Sequence, residues 1–286
     1  MHSSTLTYSL DSAQKPLVVI RGAGDIATGI AVRLYRCGFN VVMTEIAQPT
    51  MIRCTVSLGQ CCYQGTMTVE NVTARKASTL HQIREVLANG DIPVIDDEDL
   101  KLSRELEPIA MVDAILAKRN LQFSKRLAPI TIALGPGFTA GEDCHAVIET
   151  NRGHHLGRIY YQGKTQDNTG VPGNIAGFSH QRVIRSPIAG KMKCQVTIGD
   201  IVNEGDIIAA IDETPVFAPL SGMVRGLLNS GISVPSGFKI GDIDPRGETA
   251  DYLSISDKAR AISGSVLEAL MFLRIDNSHQ LHQHIV

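Results

Sequence analysis

Early in the chain, apolar positions fall in short runs separated by glycine turns and helical stripes. Leu17-Val-Val-Ile-Arg21 is short and apolar, as a buried parallel strand is. Gly22-Ala-Gly24-Asp25-Ile-Ala27-Thr28-Gly29 follows directly. Ile26, Ile30, Leu34 and Cys37 then recur at helical spacing, and Gly38 predicts the helix stop. Asn40-Val-Val-Met-Thr-Glu45 predicts a second strand, ending in an acid. Thr66–Val72 predicts a strand, and Ser78–Leu87 a helix with Ser78 as its cap. Ile92–Asp96, Met111–Ala117 and Pro129–Leu134 predict further strands. Strands alternating with helices imply a Rossmann-like α/β unit with a mostly parallel sheet.

The pattern changes in the second half. A shift of 32 residues lays Ser186–Asp212 over Ala218–Asp244, matching Pro187 with Pro219, Gly190 with Gly222, Gly199 with Gly231, Gly205 with Gly237 and Asp212 with Asp244. Short strands punctuated by Gly-Asp and Ser-Gly predict a small pseudo-symmetric all-β unit. Its cadence resembles biotinyl and lipoyl carrier domains, which implies a barrel-sandwich hybrid. The hairpin between the repeats, Asp212-Glu-Thr-Pro215, has no lysine, so covalent biotin or lipoate is not expected. After Ser254-Ile-Ser-Asp257, the residues Ala259, Ile262, Val266, Leu270 and Leu273 predict a last helix. The expected layout is a disordered segment 1–15, a Rossmann-like domain 16–180, a barrel-sandwich hybrid 181–250, a helix 251–275 and a flexible tail 276–286.

Candidate chemistry gathers on the glycine turns. Strand, G-x-G-x-x-A turn, helix and an acid-tipped strand make the dinucleotide fingerprint. Gly22 would permit the tight turn, Gly24 the approach of a pyrophosphate, and Ala27 close helix packing. Thr28 and the helix N-terminus would add donors, and Glu45 would accept from a ribose. Asp25 reads as a helix-start anion, or as a charge that partly repels phosphate. Gly135-Pro-Gly137-Phe-Thr139-Ala-Gly141 predicts a second backbone-rich loop on the same rim. The run Asp96, Asp97, Glu98, Asp99 lies there too, as a ligand group or as a solvated cap for the next helix. Cys54, Cys61, Cys62 and Cys144 read as buried thiols or as redox and soft-metal groups; no metal site is expected from spacing. His282 and His284 fall in the tail.

Composition narrows the class. At 286 residues there is room for about two domains. The net charge of −2 leaves no basic excess for nucleic acid. No apolar run approaches the roughly 20 residues of a membrane span, and Met1–Gln14 has no signal-peptide pattern. The six cysteines then read as reduced thiols in a cytoplasm.

Val19–Gly29, Gly135–His145, Asp167–Gly173 and Lys239–Gly247 together resemble accessory proteins of selenium-dependent molybdenum hydroxylase systems. The first half is also similar to the nucleotide-type domain of xanthine dehydrogenase accessory proteins. The resemblance implies a maturation factor with a molybdenum hydroxylase as target enzyme, holding a molybdopterin or a nucleotide such as NAD(P) on the glycine rim. It assigns no catalytic residue. The β unit would dock the target or a second copy in a homo-oligomer. Two alternatives stay open: an NAD(P)-binding oxidoreductase and a nucleotide-sensing regulatory module.

Overall fold

A computed structural model describes residues 15–283 apart from 169, 171, 172 and 174, with side chains up to residue 276. The expected frayed start, residues 284–286, the side chains of His279 and His282, and part of the Asp167–Gly173 motif therefore lie outside the described residues, while the expected flexible tail is helical as far as residue 283.

The first half forms β1 (Leu17–Arg21), α1 (Asp25–Arg36), β2 (Asn40–Glu45), α2 (Cys61–Gln64), β3 (Thr66–Val69), β4 (Val72–Ala77), α3 (Leu80–Ala88), β5 (Ile92–Asp96), α4 (Lys101–Glu105), β6 (Ala110–Asp113), β7 (Ile130–Leu134), β8 (Ala146–Ile148) and β9 (Ile159–Tyr160). These strands make one mixed sheet in the order β3-β4-β5-β2-β1-β6-β7-β8-β9. From β4 to β8 every neighbour is parallel, while β3 and β9 close the edges antiparallel. Side chains alternate across the sheet. Val18, Ile20, Val41 and Met43 face α1, whereas Val19, Val42 and Met111 face α3 and the Phe123–Phe138 pair. The stretch expected as one strand at Thr66–Val72 is a hairpin, with Glu70 and Asn71 at positive φ in its turn. The cap of α3 is Thr79, whose side chain accepts from the Gln82 amide, rather than Ser78.

The second half forms β10 (Val183–Arg185), β11 (Gly190–Cys194), β12 (Ile201–Val202), β13 (Ile207–Ile211), β14 (Thr214–Phe217), β15 (Gly222–Leu227), β16 (Ser233–Val234), β17 (Lys239–Asp244) and α5 (Asp257–Gln283). Two antiparallel sheets result, β10-β17-β15-β12 and β14-β13-β11-β16. The 32-residue shift carries β10–β13 onto β14–β17, and with that exchange one sheet order becomes the other. Met192, Ile208, Val224 and Ile240 are buried in the core between them.

The expected Rossmann sheet followed by a barrel-sandwich hybrid and a separate helix is therefore corrected to a large mixed sheet plus two antiparallel sheets. The physical reason lies in the crossovers. Between β6 and β7, and between β7 and β8, the chain runs through loops and a single short helical turn, so no local helix covers that half of the sheet. α5 covers it instead. Ala259, Ile262, Val266, Ala269 and Leu270 are buried in the same core as α1 and the sheet. The last helix belongs to the first layer, and the β sheets are inserted before it.

α5 lies parallel to α1. Gly29 meets Ala259, and the Arg33 guanidinium donates to Ser263 Oγ at 2.8 Å and to the Arg260 carbonyl at 3.3 Å. A Cβ on Gly29 would stand 2.9 Å from that of Ala259, closer than packed carbons tolerate. Gly29→Leu is expected to cost about 1–3 kcal/mol or more, read as a lowered melting temperature. Gly264→Ala, on the same helix pair, meets only the tip of Arg33 at 4.0 Å, and should instead stabilise by about 0.5–1 kcal/mol. Equal effects of the two changes would refute the close approach.

Candidate functional site: a cationic cleft

The strand order reverses at β1, with β2 on one side and β6 on the other. Ligands of open parallel sheets bind beyond the strand C-termini at such a point. Here that edge faces the β10–β17–β15 sheet across a cleft of about 390 Å³. Asp25 and Ile26 at the start of α1, and Ser256 and Lys258 at the start of α5, line it from the α/β side. Arg225 on β15 and Lys239 and Asp242 on β17 line it from the other.

A connecting segment joins the two sides. The Leu227 amide donates to the Ile52 carbonyl at 2.8 Å, and Gln60 and Asn229 exchange reciprocal amide hydrogen bonds. Cys54 Sγ donates to the Leu227 carbonyl, and Thr55 Oγ1 to that of Tyr252. This fixes Arg53 between two anchored neighbours. Its side chain lines the cleft, yet the residue is only 8% exposed. Its Nε and Nη2 are buried without a hydrogen-bond partner.

Charge in the cleft is one-sided. Seven Lys and Arg side chains line it against four carboxylates. Two of the cations are paired, Arg182 with Asp242 at 2.8 Å and Arg152 with both oxygens of Asp257 at 2.8 Å, although Arg182 Nε is itself buried without a partner among the described residues. Glu149 accepts from the amides of Asn151 and Gln166. Lys239 and Lys258 form no ion pair among the described residues, and burial pushes both below the ordinary lysine value. Burial likewise lowers Arg225, with Arg53 adding to the effect. Asp25 opposes the shift on both lysines, so it sits near each without pairing with either. Such a site can desolvate and neutralise an anion. No group of three or more potential metal ligands occurs among the described residues.

The structure brings some of the sequence candidates to this cleft and not others. Gly24 is the N-cap of α1, and Asp25 lines the floor. Gly22, at φ +101°, makes the turn and lies against Ala114. Ala27 and Thr28 are buried, and Thr28 Oγ1 accepts from the Leu58 amide. Glu45 does not reach the cleft. Its carboxylate accepts from the amides of Ala23 at 2.9 Å and Ile46 at 3.1 Å, and burial raises its pKa. The Gly59 amide donates to the Ala23 carbonyl, so Gly59 packs against the glycine turn on the side of Ala23. Gly135 lies against Thr150 and Gly137 against Arg119. Asp143 closes their loop by accepting from the Thr139 amide at 2.7 Å, and only Pro136 of this loop lines the cleft. Asp97 caps α4, accepting from the amides of Lys101, Leu102 and Ser103. Arg53, Lys239 and Lys258 escaped the sequence candidates. The one available signal was a lone arginine in the apolar, thiol-rich run Met51-Ile-Arg-Cys-Thr-Val56.

No family model matches the chain. Protein YqeB of Escherichia coli (strain K12), described as uncharacterized, is 62% identical over 257 residues. The match takes in 90% of this chain and 48% of YqeB, so the chain spans about half the length of that curated relative. Among solved structures, an aspartoacylase family protein of Mesorhizobium loti is 10% identical with a TM-score of 0.27, over 80% of this chain and 84% of its own. An ectoine utilization protein of Ruegeria pomeroyi is 13% identical with a TM-score of 0.25, over 80% and 85%. A succinylglutamate desuccinylase of a Silicibacter species is 14% identical with a TM-score of 0.23, over 80% and 84%. Scores of this size assign neither fold nor chemistry to this chain.

The resemblance to molybdenum hydroxylase accessory proteins is corrected by these findings. Neither the relative nor the structures named above is described as such an accessory protein, so the resemblance is left without support. Maturation of a molybdenum hydroxylase, and such an enzyme as partner, are withdrawn. The oxidoreductase and nucleotide-sensor alternatives gain no support either, because Glu45, expected to accept from a ribose, is committed to the amides of Ala23 and Ile46. No helix among the described residues is long and apolar enough to cross a membrane.

The thiols have distinct environments. Burial pushes Cys54 and Cys144 up to about 12, and a hydrogen bond to Cys62 together with burial raises Cys61. Cys62 is lowered by that same bond and is half-buried, while Cys37 is exposed. Alkylation of the folded protein near pH 8, followed by mass spectrometry, is expected to label Cys37 and Cys62 first. Cys54, Cys61 and Cys144 should react only on unfolding. Early labelling of Cys144 would refute its burial.

Proposed function

We propose that the protein binds a small organic anion in the cleft between the mixed sheet and the β10–β17–β15 sheet. The observation that carries this reading is Arg53, a guanidinium buried beside the cleft with two nitrogens unpartnered. Buried donors are almost always paired, and an unpaired charged one is costly. A ligand carboxylate or phosphate would supply the missing acceptors. The surplus of cations, and the absence of ion pairs at Lys239 and Lys258, support the same sign of ligand. A cleft of about 390 Å³ lies within the size range of small-molecule sites. All six cysteines are free, which accords with a cytoplasmic location for this binding function.

Arg53→Met tests the reading directly. Removing an unpaired buried charge should stabilise the ligand-free protein by about 1–3 kcal/mol, raising its melting temperature. A binding anion at 100 times its dissociation constant should stabilise the natural chain by about 2.7 kcal/mol. Arg53→Met should lose that gain. An unchanged response to anions would remove Arg53 from the site, and a melting temperature that falls would show that the guanidinium has a structural partner.

Protons report on the lysines. Without ligand, Lys239 and Lys258 titrate below the ordinary value of 10.5, because burial disfavours their ammonium forms. Just below 10.5 the folded protein thus holds fewer protons than the unfolded chain, so these groups make stability rise with pH in that window. A bound anion restores the ammonium forms, and binding is expected to take up protons in the window just below 10.5. Calorimetry in buffers of different ionisation enthalpy measures the uptake; zero or opposite linkage would exclude contact with the lysines.

A further inference from the structure

The following inference rests on the reading of the cleft as an anion site and names its chemical class. We propose that the anionic end of the ligand is a phosphomonoester seated at the N-terminus of α1, held by Arg53, Lys239 and Lys258.

The N-terminus of α1 has no side-chain cap, since its N-cap is Gly24. Other helices of the fold satisfy theirs, as Thr79 does for α3 and Ser256 for α5, accepting from the Ala259 amide. The first-turn amides of α1 therefore remain available to an acceptor, with the positive end of the helix dipole behind them. α5 runs parallel and begins at the same end, adding its dipole and Lys258. Met51 packs beside Gly24, which brings Arg53 to this corner. Arg53 is the independent sign of a ligand, being buried, unpartnered and part of the cleft wall. Lys239 closes the group from β17.

The donor set distinguishes phosphate from carboxylate. A carboxylate offers two oxygens in one plane and one negative charge. A phosphomonoester offers three terminal oxygens and a charge between −1.5 and −2 near neutrality. Here a planar guanidinium fork, two ammonium groups and helix amides belong to four separate elements of the fold. Donors arriving from so many directions match a tetrahedral acceptor, and three cations match a charge above one. Asp25 opposes the anion, but it also favours the ammonium forms of both lysines, as Asp242 does for Lys239 and Glu149 for Lys258. The cleft is far larger than a phosphate ion, and the amide side chains of Asn151, Gln166 and Asn168 line the remainder. A polar organic group fits there.

The test is calorimetric titration of the full chain with inorganic phosphate, ribose 5-phosphate and gluconate. Both phosphates are expected to bind, with ribose 5-phosphate at least tenfold tighter than gluconate. Arg53→Met and Lys258→Met should each weaken ribose 5-phosphate at least tenfold, with folding verified by an unchanged circular dichroism spectrum. Arg53→Lys, which keeps the charge and loses the fork, should fall between. Gluconate binding as tightly as ribose 5-phosphate would overturn the phosphate assignment and leave the anion reading standing. Phosphate binding that survives both methionine variants would overturn this seat. No binding by any of the three, together with no thermal response of the natural chain to anions, would overturn both readings.

Discussion

The parallel contact of α1 with α5 organises the molecule. Gly29 lets the two backbones approach through Ala259, and Arg33 ties the next turn to Ser263 and Arg260. Because the sheet has no crossover helix over β7 and β8, the core on that face stays uncovered until the end of the chain returns. Closing so long a loop costs little more than closing a shorter one, since the entropy grows only logarithmically with length. The buried stripe on α5 offsets it. Parallel packing also sets two positive helix ends side by side, an arrangement that favours negative charge nearby. Asp25 and Asp257 in the first turns answer this from within the chain, and Asp257 is already committed to Arg152.

That return decides where the β sheets go. They are inserted between β9 and α5, and the two connections reach the C-terminal edge of the mixed sheet at Gln166, bonded to Glu149, and at Ser256. The Ile52–Leu227 backbone bond and the Gln60–Asn229 amide pair then hold them against it. The cleft is the space left between these two rigid bodies, and each contributes cations. Lys258 comes from the returning helix, Lys239 and Arg225 from the inserted sheet, and Arg53 from the segment that joins them. No local stretch of chain contains the site.

This explains which parts were legible in the sequence. Periodicity located β1, α1, β2 and β5, because each is a local pattern with its own buried face. The 32-residue repeat was visible because turn glycines and prolines are fixed by local geometry, and its strands fall in equivalent places in the two sheets. The acid-tipped β2 misled for the same reason. The fingerprint specifies an acid near the glycine turn, but not whether that acid meets a ribose or the turn itself, and Glu45 meets Ala23 and Ile46. The stripe of α5 and its Ser263-Gly-Ser265 segment allowed the helix to pack back on the first unit, as it does, but a stripe alone does not name the strands it covers. Arg53 was hidden. An isolated arginine carries no periodicity, and its burial depends on contacts far away in the chain.

The energetics of Arg53 give the strongest indication of what the fold is arranged to do. A chain selected for stability alone would place an apolar side chain between Ile52 and Cys54, where the backbone is already pinned to β15. Holding an unpaired guanidinium there costs stability, and placing Arg225 beside it adds repulsion. Strain of this kind persists where the surrounding structure over-determines it, as it does at functional sites. The cost also has a return in binding. Donors fixed before the ligand arrives need no reorganisation when it does, so the interaction free energy is not spent on ordering them. The ion pairs of the cleft walls, Arg182 with Asp242 and Arg152 with Asp257, differ in that each guanidinium has a carboxylate to neutralise it. The affinity of the cleft is therefore located at Arg53, which, unlike Arg182 and Arg152, has no carboxylate partner among the described residues and leaves a demand for negative charge.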